Sequence, residues 1–329
     1  AGFSRNILEL LKTKEELLDG AVLYIRLYFL GLPALALYNF GNAVFSAVGD
    51  TKRPLKYLAV AGVLNIPLNL FFVIVCKMAA DGVALATILS QYTSAVLVLR
   101  VLLRTQEDYR LELKNFVFSW EKAQRILAIG ITSGLQHAIF AMANLFIQSA
   151  VNTFSAAVVE GNSAAANADS LVYEVMAAPY TACSTFISQN YGAHNKERIQ
   201  KAYRVSLVYS FGVGAVLGLA LMFFGGGFLR IFTPDPEVIA AGMEKLHIMG
   251  WSYAFSAFMD NSLAASRGLG KSAVPVAIVI LGSCVFRVIW VYTIFAMFHT
   301  LTSLYLLYIF SWALTAMGQM AYFFRCYRR

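Results

Sequence analysis

Four ionisable side chains lie inside long apolar stretches of this chain, where a charge is costly. They are Asp169, Glu174, Asp260 and Arg287. An aspartate at the centre of a membrane helix costs about 2.5–3.5 kcal/mol on insertion scales, so such a group should face a bundle interior or water. Asp260 is therefore the first candidate to exchange a proton or Na⁺, or to neutralise a cation. The alternative is that Asp260 only pairs with a buried polar group such as Arg287, for which we expect a structural ion pair.

Asp169 and Glu174 are further candidates for binding a coupling cation. They are five residues apart, which places them about 140° apart around a helix. Only one of the two can therefore face a cavity squarely.

A stripe of neutral polar residues marks another apolar stretch. His137, Asn144, Gln148 and Asn152 follow each other at steps of seven, four and four, with Gln136 beside them. This spacing places them on one helix face. A polar stripe within lipid indicates either the wall of a wet cavity or hydrogen bonding between helices.

Aromatic residues could contact flat cations through their ring faces. The chain has 25 Phe, 17 Tyr and 4 Trp, most of which we expect to pack or face lipid. Tyr38, Asn39 and Tyr253 are the candidates for contact with a cargo molecule.

The composition predicts an all-α membrane protein that crosses the bilayer many times. Of the 329 residues, 59% are hydrophobic and 13% are charged, which leaves too little polar surface for a soluble domain. Several apolar runs reach the roughly 20 residues that a spanning helix needs. We expect about nine spans: Ala21–Val48, Leu55–Val75, Gly82–Leu103, Ile126–Val159, Ala164–Gln189, Tyr203–Phe232, Met243–Ser266, Ala273–Phe298 and Thr300–Phe324.

Positive charge accumulates in alternate loops, which predicts the orientation. Basic residues cluster after the first, third, fifth and seventh spans and at the C-terminus. These loops and the C-terminus should be cytoplasmic, and the segment Ile7–Asp19 should start outside. The net charge of +8 therefore indicates a membrane orientation rather than binding to nucleic acid.

The region from about Ile7 to Arg104 recurs loosely from about Phe228 to Arg325. Gly31 falls opposite Gly250, and Gly49 falls opposite Gly270. Such duplication is typical of secondary transporters. Three spans precede the second copy and none precedes the first, so we expect a fragment that lacks its first three helices.

Several short motifs resemble those of one transporter family when they are taken in order. They are Phe29–Pro33 (FLGLP), Gly49–Lys52 (GDTK), Gly82–Thr87 (GVALAT), Phe186–Ala193 (FISQNYGA), Arg267–Ser272 (RGLGKS) and Cys284–Trp290 (CVFRVIW). Together they resemble the multidrug and toxic compound extrusion (MATE) family, in its bacterial DinF-like or MepA-like branch.

The resemblance implies a two-lobed bundle of six plus six helices. Residues 1–104 would be family helices 4–6, 105–125 a cytoplasmic linker between the lobes, and 126–329 helices 7–12. It further implies a bacterial inner-membrane antiporter that exports cationic, often aromatic, compounds in exchange for H⁺ or Na⁺ and needs no cofactor. Many members carry their coupling acid on helix one, which is missing here. Others carry it on helix seven, but no Asp or Glu lies between Lys122 and Val159.

Two other functions remain open at this stage. A related flippase for lipid-linked saccharides would line its cavity with many cations, whereas the mid-span charges seen in the sequence are mainly acidic. An intramembrane enzyme would need a reactive cluster at one depth, and no such motif is visible. Arg267–Ser272 resembles the end of a phosphate loop, but Ala265 stands where its first glycine should be, which argues against nucleotide binding. We expect neither a metal site nor an enzyme.

Overall fold

The computed structural model describes residues 15–115 and 117–328. The expected outer segment Ile7–Asp19 therefore lies largely outside the described residues. Within them the regular structure is helical. The helices are α1 (Glu15–Ala47), α2 (Lys52–Leu70, extended by a π turn at Phe71–Val75), α3 (Ala80–Arg104), α4 (Trp120–Val151), α5 (Ala156–Gly192), α6 (Lys196–Leu229), α7 (Pro236–Met249), α8 (Tyr253–Gly268), α9 (Ala273–Phe298) and α10 (Leu301–Arg328), with a short 3₁₀ turn at Leu113–Asn115.

Seven of these helices are long and apolar enough to cross a membrane, by length and composition: α1, α2, α3, α4, α6, α9 and α10. The prediction of one continuous span over Met243–Ser266 is wrong, because α7 ends at Met249 and α8 begins at Tyr253. The predicted span Ile126–Val159 also ends too late. Helix α4 stops at Val151, where the hydroxyl of Thr153 donates to the carbonyl of Ala150 and the chain turns into α5.

The chain divides into two compact units, Ala1–Val117 and Phe118–Arg329. In the first unit, α1 packs along α3 through a cluster that includes Ala34, Phe45 and Val98. Gly41 allows this approach, because a Cβ there would lie 2.0 Å from Val98 Cγ1.

Helix α8 forms the centre of the second unit. It contacts α5, α6, α9 and α10, and twelve of its sixteen residues are buried. Gly218 on α6 lets the end of α7 approach closely, since a Cβ at this position would lie 1.8 Å from the carbonyl oxygen of Gly250. Buried hydrogen bonds add to this packing, from Ser206 to Asn261 and between Tyr203 and Ser262.

The backbone repeats at the interval that the sequence predicted. Helices α2 and α3 start at Lys52 and Ala80, and α9 and α10 each start 221 residues later. Gly49 and Gly270, also 221 residues apart, both adopt a positive φ, of 84° and 73°. This left-handed conformation favours glycine. One difference between the copies is that α1 runs without a break through Gly31, whereas its counterpart is interrupted after Met249.

Candidate functional site

A cavity of about 600 Å³ lies within the second unit, and α4, α5, α7, α8, α9 and α10 all contribute to its wall. Several side chains that the sequence singled out meet there. They are Asp169, Asp260, Arg287, Gln136, His137, Asn144 and Gln148. Aromatic rings line part of the same wall, from Phe140, Tyr173, Tyr308 and Trp312. The cavity therefore offers charged, amide and aromatic contacts together.

A buried ion pair forms one side of the cavity. Lys245 Nζ lies 2.8 Å from Asp169 Oδ2, with side-chain exposures of 4% and 16%. The Tyr253 hydroxyl donates to Asp169 Oδ1, and Lys245 also lies over the ring of Tyr305. Because both carboxylate oxygens are occupied, Asp169 is neutralised by the protein itself.

Asp260 lies on α8 and lines the same cavity, half-buried. Within the part of the chain that the structure describes, no basic nitrogen lies within 4 Å of its carboxylate and no side chain or backbone group donates a hydrogen bond to it. Arg267 interacts with this carboxylate electrostatically from beyond that distance, so the carboxylate oxygens have no direct partner among the described residues and can contact a group that enters the cavity.

Arg287 lies on α9, two residues after the π turn Ile280–Val285. It is 2% exposed and lines the cavity. Its Nε donates to the Ser311 hydroxyl at 3.0 Å, and its guanidinium lies 5.1 Å from the ring centre of Phe140 and 4.6 Å from that of Tyr308. Among the described residues no carboxylate oxygen lies within 4 Å, so the expected ion pair of Arg287 is replaced by aromatic rings and a hydroxyl.

The amides on α4 form a short hydrogen-bonded chain with α5. Gln148 donates to Asn152 at 2.9 Å and accepts from Asn162, whose own amide oxygen accepts from the Tyr305 hydroxyl. At the other end of the stripe, Gln136 accepts from Arg267 at 2.8 Å. His137 and Asn144 are the members of the stripe that remain exposed to the cavity.

Five expected site residues lie away from the cavity wall. Glu174 is exposed on α5, and Asn152 caps the end of α4. Tyr38 and Asn39 belong to the first unit, where the buried Tyr38 hydroxyl donates to the Pro54 carbonyl at 3.1 Å and Asn39 is exposed. Tyr253 contacts the cavity residues indirectly, through Asp169.

Sequence reasoning missed Lys245 and Asn162. Lys245 lies near the start of a predicted span, next to Glu244, and therefore resembled a residue at the membrane boundary. Asp235 and Pro236 are a typical N-cap and first residue of a helix, and they could have shown that α7 is a separate helix. Lys245 would then have been placed inside the helical bundle. Asn162 is likewise well inside α5, at the seventh position of that helix.

No group of three or more His, Cys, Asp or Glu side chains suited to a metal occurs within residues 15–115 and 117–328. A larger groove of about 870 Å³ runs along α5 and α6, but its wall is mainly apolar and it contains none of the predicted site residues.

Comparison with known proteins gives the family. The MatE family model matches residues 2–71 and 133–293, which is more than half of the chain. The chain belongs to the MatE family. MatE proteins are transporters, so an enzymatic function is not supported.

Individual relatives agree with this family. The chain is 32% identical over 278 residues to the probable multidrug resistance protein YpnP of Bacillus subtilis, covering 82% of this chain and 61% of that protein. It is 24% identical to the probable multidrug resistance protein NorM of Thermotoga maritima, covering 80% and 57%. The chain thus spans about three fifths of the length of these curated relatives.

Solved structures share the fold. A multidrug resistance MATE family transporter of the MOP superfamily, in an outward-facing conformation, superposes with a TM-score of 0.91 at 21% identity. The superposition covers 98% of this chain and 73% of that one. The all-helical MATE-type fold predicted from the sequence is therefore confirmed.

Proposed function

We propose that the chain is part of a secondary active antiporter that exports cationic or aromatic compounds in exchange for H⁺ or Na⁺ by alternating access. The names of the relatives, as probable multidrug resistance proteins, support a small-molecule cargo. The bacterial relatives support a bacterial inner membrane, and the alternating loop charges support a cytoplasmic C-terminus.

The observation that carries the proposal is the open carboxylate of Asp260. It lies in a cavity among apolar helices, and no described basic side chain is within 4 Å of it. A carboxylate in that position is stabilised when it binds a proton, Na⁺ or the cationic part of a cargo molecule. Asp169 is a weaker candidate for binding the ion or the cargo, because Lys245 and Tyr253 already occupy both of its oxygens.

Coupling follows if the ion and the cargo compete for this carboxylate. A ligand shifts a conformational equilibrium only by its difference in affinity between the two states. We infer that ion-loaded Asp260 favours one access state and that cargo-loaded Asp260 favours the other. The aromatic rings of the wall then hold the flat body of the cargo, and His137 and Asn144 orient it.

The test is transport by the purified protein, expressed from its complete gene and reconstituted in liposomes. A pH or Na⁺ gradient should drive uptake of a fluorescent aromatic cation in the unmodified protein. Asp260→Asn should abolish the response to the gradient. The matched control is Glu174→Gln, which removes an exposed acid outside the cavity and should leave the response unchanged. Gradient-driven transport that survives in Asp260→Asn would remove this residue from coupling.

A flippase for lipid-linked saccharides is the second candidate. Its support is a cavity that holds two cations, Lys245 and Arg287, where the sequence had indicated one. Because Asp169 neutralises Lys245, Arg287 is the one cation in the described cavity wall that is available to an anionic headgroup. A single cation suits a pyrophosphate poorly, which favours the antiporter.

A further inference from the structure

Arg287 is a buried cation that has no carboxylate within 4 Å among residues 15–115 and 117–328. It is 2% exposed, and only its Nε has a hydrogen-bond partner among the described residues, the hydroxyl of Ser311. A buried charge that lacks an opposite charge is costly, and guanidinium groups at such positions usually hold a carboxylate or a phosphate. The two terminal nitrogens of Arg287 therefore have unused donor capacity beside the cavity.

The neighbours of Arg287 hold its guanidinium in position. Phe140 and Tyr308 lie over the guanidinium, and Ser311 is itself held because its hydroxyl donates to the Tyr308 carbonyl at 2.9 Å. Thr315 donates to the Ser311 carbonyl at 2.7 Å and shares a hydrogen bond with Ser283 in the π turn. A guanidinium fixed in this way is ready to bind a planar anion through two parallel hydrogen bonds.

We propose that Arg287 binds a carboxylate of the cargo, so that the cavity selects aromatic cations that also carry one carboxylate. This inference rests on the proposed transport function and names the cargo class of the same site. A single charge is favoured over a phosphate chain because Asp169 already neutralises the second cation, Lys245, at 2.8 Å. Phe140 and Tyr308 also line the cavity, where their rings can contact the aromatic body attached to the carboxylate.

The test compares two dyes that differ in one charge. A rhodamine with a free carboxylate and its methyl ester share the same aromatic body and the same delocalised cation. Binding to the purified protein, expressed from its complete gene, is measured by fluorescence anisotropy in detergent without any gradient. The acid should bind at least about tenfold more tightly than the ester, since a hydrogen-bonded charge pair contributes this much or more.

Variants then assign the preference to Arg287. Arg287→Gln should reduce the ratio of the two affinities to about one, while the ester binds as before. Ser311→Ala leaves the charge but frees the guanidinium, so it should reduce the ratio part of the way. If Arg287→Gln does not fold, the partial loss expected for Ser311→Ala tests the inference by itself. Arg125→Gln removes an exposed positive charge far along α4 and should leave the ratio unchanged.

Each other outcome overturns the inference. Equal binding of acid and ester by the unmodified protein, or an equal loss of both dyes in Arg287→Gln, would show that Arg287 has a structural role only, and would leave the proposed transport function intact. Displacement of the acid dye by inorganic pyrophosphate more readily than by benzoate would favour a phosphate-bearing cargo. Failure of the unmodified protein to bind either dye would count against the aromatic cargo of the proposed function itself.

Discussion

The pair Lys245–Asp169 allows a prediction about stability with a worked magnitude. Lys245 is 4% exposed and Asp169 is 16% exposed, so removal of either partner leaves the other charge buried without compensation. Such a loss costs about 3–5 kcal/mol, whereas replacing both partners by neutral groups is close to neutral. We therefore expect Lys245→Met and Asp169→Asn each to destabilise the protein strongly, and the double variant to recover most of the loss.

The measurement is the midpoint of thermal unfolding in detergent, followed by the fraction of protein that remains monodisperse. A unit of this size loses about 2–4 °C for each kcal/mol, so each single variant should lower the midpoint by at least about 6 °C. The control is Arg125→Met, which breaks an equally short pair with Glu121 at 2.7 Å whose side chains are 76% and 74% exposed. That change should have little effect, since exposed helical pairs contribute about 0.3–0.5 kcal/mol. Additive losses in the double variant would refute the coupling between Lys245 and Asp169.

Three further predictions concern packing and the backbone. Gly218→Ala should lower the unfolding midpoint, because the new Cβ would meet the Gly250 carbonyl at 1.8 Å, whereas Gly226→Ala on the same helix meets nothing within 4 Å and should be neutral or stabilising. His194→Gly should raise the midpoint slightly, since His194 holds a φ of 55° in the exposed turn after α5; no change would indicate that the unfolded chain offsets the gain. Tyr253→Phe should lower the midpoint less than Asp169→Asn does, because it removes one hydrogen bond to Asp169 and leaves the ion pair; an equal loss would show that the hydroxyl dominates.

Sequence patterns predicted much of the fold for a simple physical reason. A helix that crosses lipid must be long, apolar and internally hydrogen-bonded, so its position is visible as an apolar run. The duplication was equally visible, and the matching left-handed glycines Gly49 and Gly270 show that it extends to local backbone conformation. The break after Met249 was not visible, because Gly250, Trp251 and Ser252 are compatible with a continuous helix and only packing interrupts it.

The sequence predicted part of the candidate site, and the contacts that it did not predict share one physical cause. Helical spacing placed His137, Asn144, Gln148 and Asn152 on one face with Gln136 beside them, and all of these except Asn152 line the cavity. Spacing along one helix carries no information about partners on other helices. For this reason the sequence assigned an acid to Arg287, where the structure has Ser311 and two rings, and it gave no indication that Asp169 is already paired.

Asp169 is held from both sides of the break between α7 and α8. Lys245 lies on α7 and Tyr253 on α8, eight residues apart, and both contact the carboxylate of Asp169. In an unbroken helix these positions would be about 80° apart around the axis and about 12 Å apart along it, so they would not share one face. The counterpart of this region in the first copy, α1, is unbroken, so the two copies differ next to the place where Asp169 is neutralised. Of the two aspartates in the described cavity wall, Asp260 is then the one without an ion-pair partner within 4 Å.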